Sequence, residues 1–277
     1  MKFFKAIRLN ILTSRIRLIM TGCRNNRSLA IAGVLVPRIL ISVCLVSGLL
    51  QSNRVLANDI PQSCQRSFNY SIYLSGLHTG EMSRTENWQG KSAVIISKSE
   101  ASILGIGTQY QQRTELSWSN NSNEWLTDSF HQQVTGFRSR DMQATFYNNG
   151  LESRVDIDGD IENYTSSQIP LRDVDTLAIQ IRENLLGGRR QFALIRQASD
   201  AIEPYQFYVK DKLITTIGSW GEIQLIPVEQ TGAEEVTYYF APSMNYQLVK
   251  AHYHGMILQG VIELDRYVSS CDTMSES

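Results

Sequence analysis

Phe68, Tyr70, Ile72 and Leu74 alternate with Asn69, Ser71 and Tyr73, the two-residue period of a strand with one face buried. Turn signals then recur at short intervals. Gly76 and Gly80 bracket one break and Gln89-Gly90 makes another. Asn149-Gly150 and Asp158-Gly159 are strong hairpin dipeptides. Apolar runs at 93–96, 108–118, 125–134, 144–147, 151–157 and 161–165 fill the intervals, and this spacing predicts a β-meander. Further strands are expected at 192–195, 205–210, 213–217, 222–228, 236–240, 246–253 and 256–267.

One helix interrupts the series. Leu171, Val174, Ala178, Ile181 and Leu185 fall on one helical face. Pro170 precedes them, Asp173 and Asp175 suit the positive end, and Gly187-Gly188 stops the run. Such a helix is expected to cover one face or one mouth of the sheet. The fold class is therefore mainly β: a curved antiparallel sheet or incomplete β-barrel with one covering α-helix.

The N-terminus reads as an address. Residues 39–50 form an apolar run behind a basic stretch, and Val55-Leu56-Ala57 offers small residues for cleavage before Asn58. Residues 1–57 are expected to be a signal segment and 58–277 a single β-rich domain, which places the mature protein in the periplasm. The rival reading is an uncleaved membrane anchor extended back through Ile31–Val36, which Pro37 and Arg38 interrupt.

Charge supports the division. Of 26 basic and 27 acidic residues, nine basic and no acidic ones lie in the first 57, so the remainder holds 17 against 27. An acidic domain repels phosphate, which excludes a nucleic-acid surface as the main theme. Beyond the signal segment only Cys64 and Cys271 remain, near the two ends of the mature chain. An even pair in an exported protein predicts a disulfide between them.

Several segments together carry a family resemblance: the early strand FNYSIYLSGLHTGE, the Asn-Gly hairpin and the helix LRDVDTLAIQIRENLLGG. The strand YQFYVKDKLITTIG, the segment YYFAPSMNYQLVKAHY and the last strand ILQGVIELDRY complete it. Over roughly residues 66 to 268 the chain resembles the bacterial envelope family called domain of unknown function 3108. The resemblance implies an exported, mostly antiparallel β fold, and it brings no catalytic residues with it.

Candidate chemistry is sparse. The acidic run Asp156–Glu162 has oxygen ligands for calcium, but its glycine is misplaced for an EF-hand and a hairpin turn explains it better. His252 and His254 leave one strand face together, half of a zinc site that would need His78 or His131 from elsewhere. Gly218-Ser219-Trp220-Gly221 lacks the first glycine of a nucleophile elbow. Gly187-Gly188-Arg189-Arg190 offers two guanidinium groups to an anion, or simply ends a helix. No dinucleotide or phosphate-loop fingerprint is present, so no cofactor is expected.

Aromatic residues on the later strands supply the remaining candidates. Tyr205, Phe207, Tyr238, Phe240, Tyr246 and Tyr253 are expected either to line a cavity for an apolar ligand or to fill a core. The leading expectation is a non-enzymatic envelope protein that binds a lipid or other apolar small molecule. The alternatives are a structural or interaction module with an envelope protein partner, and a hydrolase built from dispersed residues such as His131, Asp141 or the 252/254 histidines.

Overall fold

The computed structural model describes residues 63–103, 106–136, 139–255 and 259–271. The signal segment and cleavage site expected from the sequence fall outside the described residues. Eight strands open the described residues: β1 (Ser63–Leu74), β2 (Leu77–Gln89), β3 (Ser92–Ile103), β4 (Ile106–Ser119), β5 (Glu124–Gly136), β6 (Arg140–Tyr147), β7 (Glu152–Ile157) and β8 (Asp160–Thr165). Each pairs antiparallel with the next. A short strand β9 (Leu171–Arg172) leads into helix α1 (Val174–Leu186). Seven strands follow: β10 (Gln191–Gln197), β11 (Ile202–Val209), β12 (Leu213–Ile217), β13 (Gly221–Gly232), β14 (Val236–Ala241), β15 (Gln247–Tyr253) and β16 (Gly260–Ser269).

All sixteen strands belong to one hydrogen-bonded system. Its order runs from β8 back to β1, crosses to β16, and returns through β15, β14, β13, β11 and β10 to β9, with β12 paired to β13. Among the described residues only β9 and β10 pair in parallel. Pairing β1 with β16 brings the ends of the described chain together, and Cys64 and Cys271 are joined there by a disulfide. The pair expected from the sequence is thus bonded in the structure.

Register shifts explain how so long a sheet curls. They occur at Asn69/Tyr70 between β1 and β16, Ile72/Tyr73 between β1 and β2, Glu115/Leu116 between β4 and β5, and Tyr239/Phe240 between β14 and β15. Each bulge bends its strand and increases the right-handed twist. The sheet curls until its two ends face each other without closing into a barrel. Phe130, Met142, Phe146 and Val155 from one end pack against Leu171, Ile195 and Ile202 from the other. Ser153 Oγ on β7 donates to Gln197 Oε1 on β10 at 2.6 Å.

Two sequence expectations need correction. Breaks were expected at Gly76–Gly80 and Gln89-Gly90 with no strand assigned between them, yet Leu77–Gln89 form the 13-residue strand β2. Its inward positions carry Arg84 and Glu86, both buried, so the apolar alternation that marks a strand is missing. Leu171 belongs to β9 and not to the helix, which begins at Val174 with Asp173 as its cap. The Asp173 carboxylate accepts from the backbone N–H groups of Asp175 and Thr176, which satisfies two of the donors that a helix start leaves unpaired.

Helix α1 does more than cover a face. Leu177, Ile181 and Leu185 pack against β10, β11, β13, β14 and β15, while Ile179 packs with Ala93, Ile95 and Leu116 on the opposite wall. Contacts with both arms of a curled sheet place the helix on its concave side, where it fills the interior. Among the described residues no helix is long and apolar enough to cross a membrane.

Candidate functional site: the helix-filled interior

The interior has a polar half and an apolar half, divided by the helix. The polar half is organised by the first helical turn. The Arg84 guanidinium on β2 pairs with the Asp175 carboxylate and also donates through Nε to Glu86 at 3.0 Å. Ser97 Oγ on β3 donates to Asp175 at 2.9 Å. Gln112 Nε2 on β4 reaches Asp173 at 2.6 Å and Asp175 at 2.8 Å. Thr114 Oγ1 and Thr127 Oγ1 donate to Asp173 at 2.8 and 3.0 Å. Four consecutive strands therefore present one donor set to the Asp-Val-Asp start of the helix.

Electrostatics explain why these groups are gathered. A carboxylate out of water is costly unless it is paired and hydrogen-bonded. Burial pushes the Asp175 carboxyl up, and Arg84 pulls it back. Burial disfavours the Arg84 cation, but Asp175 and Glu86 outweigh that and hold it protonated. Burial, with Asp175 and Asp173 adding to it, raises the nearby Tyr110 phenol well above its ordinary value.

A second buried ion cluster lies across the interior. Arg196 on β10 pairs with Glu203 on β11 and lies 3.1 Å from Glu234. Tyr205 Oη donates to Glu203 at 2.7 Å, and the Arg196 guanidinium sits 5.5 Å from the Tyr205 ring centroid. Between the two clusters, beside Gln112, Gln132, Asp173 and Arg196, is a cavity of about 30 Å³. Ligand pockets for small molecules are roughly 300–1,000 Å³, so this space has the size of water and not of a lipid.

The six aromatic candidates come together in the apolar half. Tyr205, Phe207, Tyr238 and Phe240 are buried in one cluster, and Tyr246 and Tyr253 pack against it half-buried. Leu177, Ile181 and Leu185 of the helix belong to the same cluster. Helix side chains thus occupy the space that these aromatics surround. Two of their hydroxyls are spent internally: besides the Tyr205 bond, Tyr238 Oη donates to Gln230 at 3.0 Å.

The other candidates lie apart from the interior. His131 Nε2 is 2.8 Å from Asp141 Oδ1, and Gln133 donates to the other Asp141 oxygen, so sequence reasoning named two residues that do meet. Both are nearly half exposed on the sheet. The nearest serine along that strand, Ser129, directs its hydroxyl to Glu115. The rings of His252 and His254 are 4.2 Å apart, and His254 Nε2 bonds Thr237 Oγ1. Burial and the neighbouring His254 hold His252 below its ordinary value.

The acidic run forms a hairpin turn. Asp158 and Gly159 take the left-handed conformation, and Asp156 accepts from the Gly159 N–H. Among the described residues no group of three or more His, Cys, Asp or Glu is placed to hold a metal ion. Gly218–Trp220 is a short 3-10 turn whose indole donates to the Leu264 carbonyl. Gly188 ends the helix at φ +71°. Beyond it Arg190 pairs with Asp211, and Arg189 lies 3.9 Å from Glu124.

Known proteins speak to the fold alone. No protein-family model matches the sequence, and no curated protein matches it. The fold is similar to the crystal structure of a β-barrel-like protein of domain of unknown function 1849 from Brucella abortus, with a TM-score of 0.50 at 9% identity. The alignment covers 76% of this chain and 98% of that one. That family carries a different number from the one the sequence resembles.

Proposed function

We propose that this protein is an exported, non-enzymatic module of the bacterial cell envelope that acts through its surface. One observation carries the reading: helix α1 and its ion network occupy the interior of the curled sheet. A lipid carrier of this shape would keep that space for its cargo. Export and the periplasmic address rest on the signal-like segment and on the Cys64–Cys271 bond, which suits an oxidising compartment.

The carrier reading retains one supporting observation, the gathering of six aromatic residues around the helix. It requires the helix to yield its place to the ligand. Native mass spectrometry of the protein purified from the periplasm separates the two. A mature chain starting at Asn58 with no retained lipid is expected. A stoichiometric lipid that is lost on denaturation would overturn the surface reading and favour the carrier.

A further inference from the structure

A second cleft lies outside the helix-filled interior, where two strands part. The β5–β6 ladder runs from Val134↔Arg140 to Ser129↔Thr145 and stops. Both strands continue, β5 back to Glu124 and β6 on to Tyr147. Their divergence opens a cleft of about 380 Å³ between the turn joining β4 to β5 and the turn joining β6 to β7.

The lining is polar and almost without charge. Ser117, Ser119, Asn120 and Asn121 face it from one side, and Tyr147, Asn148 and Asn149 from the other. Leu126 and Phe146, both buried, supply its apolar surface. Asp128 is its one carboxylate, and no lysine, arginine or histidine lines it. Ser117 Oγ donates to Asp128 Oδ1 at 2.8 Å, which leaves the other carboxylate oxygen to accept. Lys91 Nζ occupies the Asn120 carbonyl at 2.6 Å and so leaves its amide donors free. Asn121 and Asn149 are exposed and make no side-chain hydrogen bond among the described residues.

We propose that this cleft binds a neutral carbohydrate. An anionic ligand would meet the Asp128 carboxylate, and the cation beside the lining, Lys91, is already engaged by the Asn120 carbonyl. An apolar ligand would strip water from amides and a carboxylate without replacing their hydrogen bonds. A sugar supplies hydroxyls that donate to Asp128 and both donate to and accept from planar amides. It also has an apolar ring face for the half-exposed Tyr147 ring. An extended peptide would need a free strand edge, but the Trp125 N–H and C=O are already taken by Gln180 and Arg172. The turn that carries Asn148 and Asn149 is held in place by the Leu151 N–H on the Asn148 carbonyl and the Leu171 N–H on the Gly150 carbonyl.

The assignment deepens the surface reading and rests on it, yet the two fail separately, because mass spectrometry reads the interior and a titration reads the cleft. The full mature chain is titrated with maltotriose and with triacetylchitotriose, followed by amide NMR. Saturable shifts confined to Asn121, Asn149, Tyr147 and their neighbours are expected with at least one of them. Asn121→Ala and Asp128→Ala should each weaken binding by about tenfold at unchanged Tm. Absence of saturable shifts with both sugars overturns the proposal. So does binding that survives both substitutions, or a response confined to a neutral peptide or to inorganic phosphate.

Discussion

Arg84 on the second strand and Asp175 in the first turn of the helix, 91 positions apart, form a salt bridge inside the curled sheet. Both side chains are less than a tenth exposed. The bridge anchors the helix to the wall formed by β2, β3 and β4, since the same carboxylate also accepts from Ser97 and Gln112.

Breaking one half of this bridge should cost more than removing both. Arg84→Leu leaves Asp175 buried without its cation, for which a loss of about 3–5 kcal/mol is expected. The double variant Arg84→Leu/Asp175→Leu should lose clearly less than the sum of the single changes. Urea denaturation of the four proteins gives the cycle, and strict additivity would show that the pair is not coupled.

The Cys64–Cys271 bond spans a sequence separation of 207. Chain-entropy arguments give roughly 5 kcal/mol for closing so long a loop, as an upper figure. Reduction, or paired Cys→Ser changes, should lower the Tm. The intact protein should weigh about 2 Da less than its reduced form. An unchanged Tm after verified reduction would mean that the β1–β16 ladder alone holds the ends.

Gly80 and Gly107 both lie in strands and test packing against each other. A Cβ at Gly80 would fall 2.6 Å from Ala101 Cα and against the Glu100 carbonyl, whereas one at Gly107 meets nothing within 4 Å. Gly80→Ala should destabilise by about 1–3 kcal/mol, and Gly107→Ala should stay within about 0.5 kcal/mol of the parent. Equal behaviour in thermal unfolding would refute the close approach of β2 and β3 at this point.

Tyrosine ionisation should report the filled interior. Burial raises the phenols of Tyr70, Tyr110, Tyr205 and Tyr238. Tyr164 is pushed up to about 12 by burial and by Glu162. Unfolded phenols ionise near ~10, so above that pH the folded state binds more protons than the unfolded one, and stability falls as pH rises. Below pH ~10 the effect is absent. Of the 12 tyrosines, Tyr70, Tyr110, Tyr205 and Tyr238 should ionise only as circular dichroism reports unfolding. A smooth titration of all of them with the fold intact would contradict their burial.

Most strands were legible because alternation needs only one buried face. Tyr205, Phe207 and the hairpins at Asn149-Gly150 and Asp158-Gly159 show it directly. Strand β2 was not legible, because buried Arg84 and Glu86 stand in place of apolar residues. Leu171 was indistinguishable from a helix residue, because a leucine at helical spacing looks the same in a two-residue strand. His131 and Asp141 were named among dispersed residues, and register brings them together across adjacent strands.

The sequence by itself determined the local elements: strands from alternation, turns from Asn-Gly and Asp-Gly, the helix from its apolar face and the Gly187-Gly188 stop, and a cysteine pair at the two ends. Only the tertiary structure decided that β1 pairs with β16, that the helix lies within the sheet, and that two distant turns flank a polar cleft. The physical reason is that side-chain period reports which face of an element is buried. What covers that face depends on bulges and long-range pairing, whose free energy is shared among residues far apart in the chain.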